Sequence, residues 1–146
     1  MTDAIGSHAM ILAAGFGLRM RPLTNDRPKP LVEVARKPLI DYSFDRLREA
    51  GVQKAVINGH YRAEQILQWS QQQATPEVVF SDEQAEILDT GGGIAKALPL
   101  LGRQPFFVLN SDSFWLDGRV PALSRLRAAW DDTAMDCLLL RCHVDR

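Results

Sequence analysis

Cysteine is scarce in this chain: Cys137 and Cys142 are the only two. That excludes the disulfide framework of a small secreted domain and predicts two buried thiols in a cytoplasmic protein. A catalytic thiol is not expected of either. Histidine is equally sparse, and His8, His60 and His143 lie too far apart to suggest a zinc site. A surplus of one charge is also missing. Seventeen Lys and Arg face eighteen Asp and Glu, a formal net charge of -1. A nucleic acid would find no basic field here, so any anionic ligand has to be held by a local site. No apolar run approaches the roughly 18 residues that cross a bilayer. The N-terminus lacks the charged start and apolar stretch of a secretory signal, and no internal repeat, linker or low-complexity tract appears.

What is present suits one soluble domain with a modest core: 146 residues, 46% of them hydrophobic and 24% charged. Residues 1–9, with Gly6, Ser7 and His8, read as a tail, and the domain is expected over 10–146. Short apolar or β-branched runs of strand length occur at 10–13, 54–58, 77–81, 106–109 and 135–140, the last Leu-rich and ambiguous with helix. Helical patterns separate them. Over 39–50, Ile40, Phe44 and Leu47 repeat at helical spacing, with Pro38 before and Gly51 after. A second helix is predicted over 63–73 through Ile66, Leu67 and Trp69. A short one is predicted over 94–98, halted by Pro99, and a fourth over 121–130 through Leu123, Leu126 and Trp130. Such alternation predicts an α/β fold, with a mostly parallel sheet covered by helices on both faces. Ligands of such sheets bind at the carboxyl ends of the strands.

The first strand runs into Leu12-Ala13-Ala14-Gly15-Phe16-Gly17-Leu18-Arg19-Met20-Arg21-Pro22-Leu23-Thr24, continuing to Arg27-Pro28-Lys29-Pro30-Leu31-Val32. Two glycines let the backbone approach an anion, and successive N–H groups in such a turn can form a nest for phosphate oxygens. Arg19, Arg21 and Lys29 add the cations that a triphosphate requires. Neither of the commoner glycine motifs fits. A Walker A loop needs Gly-Lys-Ser/Thr after four intervening residues, and a dinucleotide fingerprint needs glycine where Met20 stands.

This stretch resembles the signature of the sugar-1-phosphate nucleotidylyltransferases: Leu-Ala-Ala-Gly-x-Gly-x-Arg-Met, then Pro-Leu-Thr, then Pro-Lys-Pro-Leu-Val. The resemblance extends to about Val144. It implies a Rossmann-like nucleotide-diphospho-sugar transferase fold, here possessing its nucleotide-binding part. It also implies a triphosphate site formed by Leu12, Ala13, Ala14, Gly15, Gly17, Leu18, Arg19 and Lys29. Arg19 is then expected to position and activate the β- and γ-phosphates, and Lys29 to contact the phosphates at the reacting centre. Among subfamilies, Thr90-Gly91-Gly92-Gly93-Ile94 and the strand Val56-Ile57-Asn58 followed by His60 are most similar to the uridylyltransferases of bacterial cell-wall recycling. UTP and N-acetylmuramate 1-phosphate are the substrates this implies.

The segment from Leu88 to Gly93 reads as a tight glycine turn able to lie flat against a planar base. By the resemblance, Glu83, Gly92 and Gly93 are base-contacting candidates. Phe106-Phe107-Val108-Leu109 ends in Asn110-Ser111-Asp112, which places a carboxylate on the ligand edge, where Mg²⁺ can bridge it to phosphate. Asp112 matches the family's metal aspartate, with Ser111 where the family has glycine. Asn58 and Asn110, at strand ends, are candidate substrate-binding residues. The implied reaction is in-line attack of the sugar-phosphate oxygen on the α-phosphorus, expelling pyrophosphate, with Arg19, Lys29 and Asp112 as catalytic residues. The family runs well beyond this length, so a fragment with weak nucleotide binding and little transfer of its own is expected. The remaining expectations are a monomer or weak homodimer with no nucleic-acid or membrane partner. Alternatives are another base and sugar pair, such as mannose or glucose 1-phosphate, or a non-catalytic nucleotide-binding module.

Overall fold

The computed structural model describes residues 4–141. They fall into two compact units, divided after Phe114. The first unit holds a four-stranded parallel sheet of β1 (His8–Leu12), β4 (Lys54–Gly59), β5 (Glu77–Asp82) and β6 (Phe107–Asn110), in the order β5-β4-β1-β6. The chain moves outward from β1 to β4 to β5, and then returns across β1 to place β6 on its other side. The direction of winding therefore reverses between β1 and β6. Right-handed crossovers make the helices change face at that reversal and open a crevice above the carboxyl ends of the two strands.

Helix α1 (Leu39–Glu49) buries Ile40, Phe44 and Leu47, each no more than 1% exposed. Full burial of a side chain of this size stabilises by about 1.5–3 kcal/mol. Gly51 follows at φ 71, the left-handed position expected to end the helix. Helix α2 (Ala63–Ser70) stops three residues short of the predicted end; Ile66 and Trp69 are buried, but Leu67 is exposed. The Trp69 ring meets Phe44 edge-on at 5.1 Å. Helix α3 (Asp89–Leu101) covers the other face, where Ala97 and Leu101 pack in a cluster with Met10 and Val56. Side chains alternate along a strand. Ala9, Ile11, Ala55 and Ile57, all fully buried, therefore belong to the face of α1 and α2.

Several expectations are corrected. β1 begins at His8, not Met10. His8 is buried, with Nδ1 2.7 Å from the Leu101 carbonyl, so the sheet includes a residue assigned above to the tail. Helix α3 begins at Asp89, runs through the glycines and continues past Pro99 to Leu101. Proline removes a single N–H near the helix end, while burial of Ala97 and Leu101 holds both sides of it. A small antiparallel hairpin, β2 (Glu33–Val34) with β3 (Lys37–Pro38), was not anticipated. It turns through Ala35 and Arg36 at φ 51 and 65, without the glycine or asparagine that marks such turns.

The second unit, over its described residues, contains α4 (Ala122–Ala129). Asp117 accepts from the Ala122 N–H at 2.8 Å and from the Trp115 ring N–H at 3.0 Å. Asp131 accepts from the N–H and hydroxyl of Thr133, which hold its carboxyl below the usual value. Residues 135–140 form no strand, and Cys137, expected to be buried, is exposed. The Leu-rich run offers little β-branching and includes Asp136, so its apolar character alone did not make it a strand. Cys142, His143 and Asp145 lie outside the described residues.

Candidate active site

The crevice between β1 and β6 holds a cavity of about 410 Å³. Its walls are built from the carboxyl ends of the two strands and the loop that follows β1, as the alternation of elements predicts. Leu12, Ala13 and Gly15 form one side, and Gly17, Leu18 and Arg19 the turn above them. Lys29 closes the loop side, and Asn110 and Asp112 come from the end of β6. Arg19 is exposed, whereas Lys29 and Asp112 are half-buried. The Lys29 ammonium pairs with the Asp112 carboxylate across the cavity. Residues 83 apart in sequence thus meet at one point. Arg21 does not line the cavity, so two of the three expected cations converge.

The loop has specific local causes. Gly17 has φ 64 and caps a single 3-10 turn, Leu18–Met20. A Cβ added to Gly17 would stand 3.0 Å from both Lys29 Cβ and Thr24 Cγ2, while its carbonyl accepts from the Thr24 hydroxyl at 2.8 Å. Only glycine satisfies both the backbone angle and the closeness. A second 3-10 turn, Lys29–Leu31, follows Pro28 and aims Lys29 back to the cavity. The far end of the loop is held by side chains just beyond β4. Tyr61 donates to the Thr24 carbonyl at 2.9 Å, Arg62 to that of Asn25 at 2.7 Å, and Gln65 to that of Asp26 at 2.9 Å. The Tyr61 hydroxyl also bonds Arg62 and holds its guanidinium above the ordinary value. Phe16 rests edge-on against the His60 ring at 5.1 Å. No motif marks these three donors, and sequence reasoning missed them all.

A smaller cavity of about 160 Å³ lies on the other side of the segment after β1. Leu12 and Gly15 border it as well as the larger one, joined here by Ala14, Asn58, Ile87, Asp89 and Thr90. Asn58 reaches it from the end of β4. Glu83 and Gly93 line neither cavity. Glu83 is 1% exposed and accepts from Asn58 Nδ2 at 2.8 Å and from the Leu88 N–H at 3.2 Å. Gly92 also lines neither cavity; a Cβ on it would meet Leu88 Cβ at 2.9 Å. Of the base-side candidates, Glu83 and Gly93 are buried away from both cavities and Gly92 is half-buried, whereas Ile87, Asp89 and Thr90 line the smaller one. Ser111, in place of the family's glycine, is buried and donates its hydroxyl to the Leu12 carbonyl at 2.7 Å.

Among the described residues no group of three or more His, Cys, Asp or Glu gathers to hold a metal. Asp112, the one carboxylate lining the larger cavity, would fit Mg²⁺, which takes hard oxygen ligands and commonly binds through one or two carboxylates plus substrate phosphate and water. No helix of the described residues is long and apolar enough to cross a membrane.

The profile of the nucleotidyl transferase family matches residues 8–141. Over 137 residues, 90% of its length, the chain is 52% identical to an N-acetylmuramate alpha-1-phosphate uridylyltransferase of Caulobacter vibrioides. It is 51% identical over 106 residues, 71% of its length, to a protein of the same name from Neisseria meningitidis serogroup B. The chain spans 57% and 46% of the lengths of these relatives. Among solved structures, UDP-glucose pyrophosphorylase complexed with UDP-glucose superposes with a TM-score of 0.71 over 85% of this chain and 52% of that one. At 22% identity, that likeness concerns the fold alone.

Proposed function

The chain belongs to the nucleotidyl transferase family, and from that premise we propose that it carries the triphosphate site of a Mg²⁺-dependent sugar-1-phosphate uridylyltransferase. UTP is the donor and N-acetylmuramate 1-phosphate the acceptor, the pair that the names of its two relatives suggest. The observation that carries the reading is the convergence of Arg19, Lys29 and Asp112 on one cavity at the reversal of strand order. Glycine-loop N–H groups and two cations answer the charge of a triphosphate, and Asp112 is the residue that would hold the metal.

In this reading no side chain acts as nucleophile. The acceptor phosphate oxygen forms a bond to the α-phosphorus, and the bond to the bridging oxygen of pyrophosphate breaks. Arg19 neutralises charge on the departing phosphates, while Lys29 leaves its ion pair with Asp112 to hold oxygens at the reacting centre. Gly17 and the Leu12–Gly15 segment fix the α-phosphate for in-line approach. Mg²⁺, when bound at Asp112, supplies Lewis-acid stabilisation of the same charge.

The test uses the chain alone and fused to the remaining C-terminal region of the Caulobacter relative. Each is incubated with UTP, GTP, CTP or ATP, Mg²⁺, and a panel of sugar 1-phosphates. Pyrophosphate release by the fusion with UTP and N-acetylmuramate 1-phosphate is expected, together with weak UTP binding and little turnover by the chain alone. A fusion that releases pyrophosphate only with another pair would refute the substrate assignment. One that binds no triphosphate would refute the site.

A further inference from the structure

One peptide plane, Leu12–Ala13, is held on both sides by side chains from the neighbouring strands. Its carbonyl accepts from Ser111, by the N–H at 3.2 Å and the hydroxyl at 2.7 Å. Its N–H donates to Asn58 Oδ1 at 2.7 Å. This peptide leaves β1 for the glycine loop, and Leu12 and Gly15 border both cavities. A rotation of the plane would reshape the wall that the two cavities share.

Asn58 is 2% exposed, and its carboxamide is oriented by a buried partner. A carboxamide accepts with one atom and donates with the other, so Oδ1 can serve Ala13 only if Nδ2 finds an acceptor. Glu83 Oε1 provides it at 2.8 Å, and Oε2 takes the Leu88 N–H. Helix α3 leaves room for this pair by a missing side chain. A Cβ on Gly93 would lie 2.8 Å from Asn58 Nδ2 and 2.9 Å from Glu83 Oε1. Buried polar groups so fully matched specify one arrangement, because any alternative leaves a donor or acceptor unpaired.

Resting on the reading that the larger cavity takes a triphosphate, we infer that Asn58 and Glu83 are positioning residues. They set the Leu12–Ala13 peptide, and through it the phosphate-binding geometry of the loop, without lining the larger cavity themselves. The chemistry admits one other arrangement of the same bonds. Asn58→Asp alone turns a donor into an acceptor facing Glu83, and Glu83→Gln alone turns an acceptor toward Leu88 into a donor or misdirects Asn58. The double variant N58D/E83Q restores every bond with the carboxylate and the amide exchanged.

The experiment measures the affinity of the purified chain for UTP, GTP, CTP and ATP with Mg²⁺, well below each variant's Tm. It also measures hydrogen-exchange protection of the Ala13 amide. Each single variant is expected to bind the preferred triphosphate on the order of ten-fold more weakly, as loss of one buried hydrogen bond implies. Each should also lose protection at Ala13, and the double variant should recover both. Should the single variants not fold, the double variant and Ser111→Ala decide. The former must bind as the wild type does, and the latter, loosened at the opposite side of the plane, more weakly. Single variants that bind as tightly as wild type, or a double variant no better than they are, would overturn the inference alone. A wild-type chain that binds no triphosphate would overturn the proposed function and this inference with it.

Discussion

The loop from Gly15 to Arg27 and the knot around Asn58 stand on either side of one short segment, yet they are held by different means. The loop is mostly exposed, with Phe16, Leu18 and Leu23 between 42% and 58% accessible. It is fastened at its far end through carbonyl groups gripped by Tyr61, Arg62 and Gln65. The knot is buried, and its members bond one another. Loop charges can therefore reorganise around a ligand at small cost, whereas an unmatched change of polarity or volume in the knot leaves a buried group unpaired or overpacked. An exposed, charged rim over a buried support is the division of labour expected where a loop binds a ligand.

The sharpest test of this contrast removes the cations of the larger cavity, Arg19 in the loop and Lys29 just beyond it. Arg19→Ala and Lys29→Ala in the fusion are expected to lower the rate of pyrophosphate release by about 10²–10³-fold, the scale for a lost donor to developing charge. Thermal stability should hardly move, because Arg19 is exposed and the Lys29–Asp112 pair is partly solvated. Unchanged turnover in either variant would remove that residue from the catalytic set. Next in size, Gly93→Ala inserts a methyl into the knot and should destabilise by about 1–3 kcal/mol. Denaturant unfolding checks it, and a neutral result would show that α3 yields where the contrast says it cannot. Ser111→Ala removes one buried hydroxyl bond and should cost about 1 kcal/mol. The smallest effect belongs to the loop's own fastening. Tyr61→Phe should cost about 0.5–1 kcal/mol or less, yet raise proteolytic cleavage within 16–27 with little change in Tm. Equal protection of that segment would show that Arg62 and Gln65 suffice.

The sequence announces the loop and hides the knot, for a physical reason. Gly15, Gly17, Arg19, Pro28 and Lys29 act through local backbone freedom and charge, and these are written in adjacent residues. The arrival of Asp112 on the same cavity follows from strand ends sharing an edge, which the alternation of elements predicts. The bond from Ala13 to Asn58 joins residues 45 apart, and that from Ser111 to Leu12 residues 99 apart. Such bonds depend on strand register, which emerges only when the sheet assembles. Register also explains Glu83. Its acidic neighbours Asp82 and Glu86 look equivalent in sequence, but they are exposed while it is buried. The missed start of α3 has a different origin. Three glycines resemble a turn, yet Gly93 is inside the helix because the space against Asn58 admits nothing larger.

A wall held in common by two cavities makes their occupants partners in one equilibrium. If an occupant of the smaller cavity favours one setting of the Leu12–Gly15 segment, it changes the affinity of the larger cavity by some factor. Linkage then requires the larger cavity's occupant to change the smaller cavity's affinity by the same factor. Occupancy of the two cavities, on this wall, would be measured as a single coupling free energy.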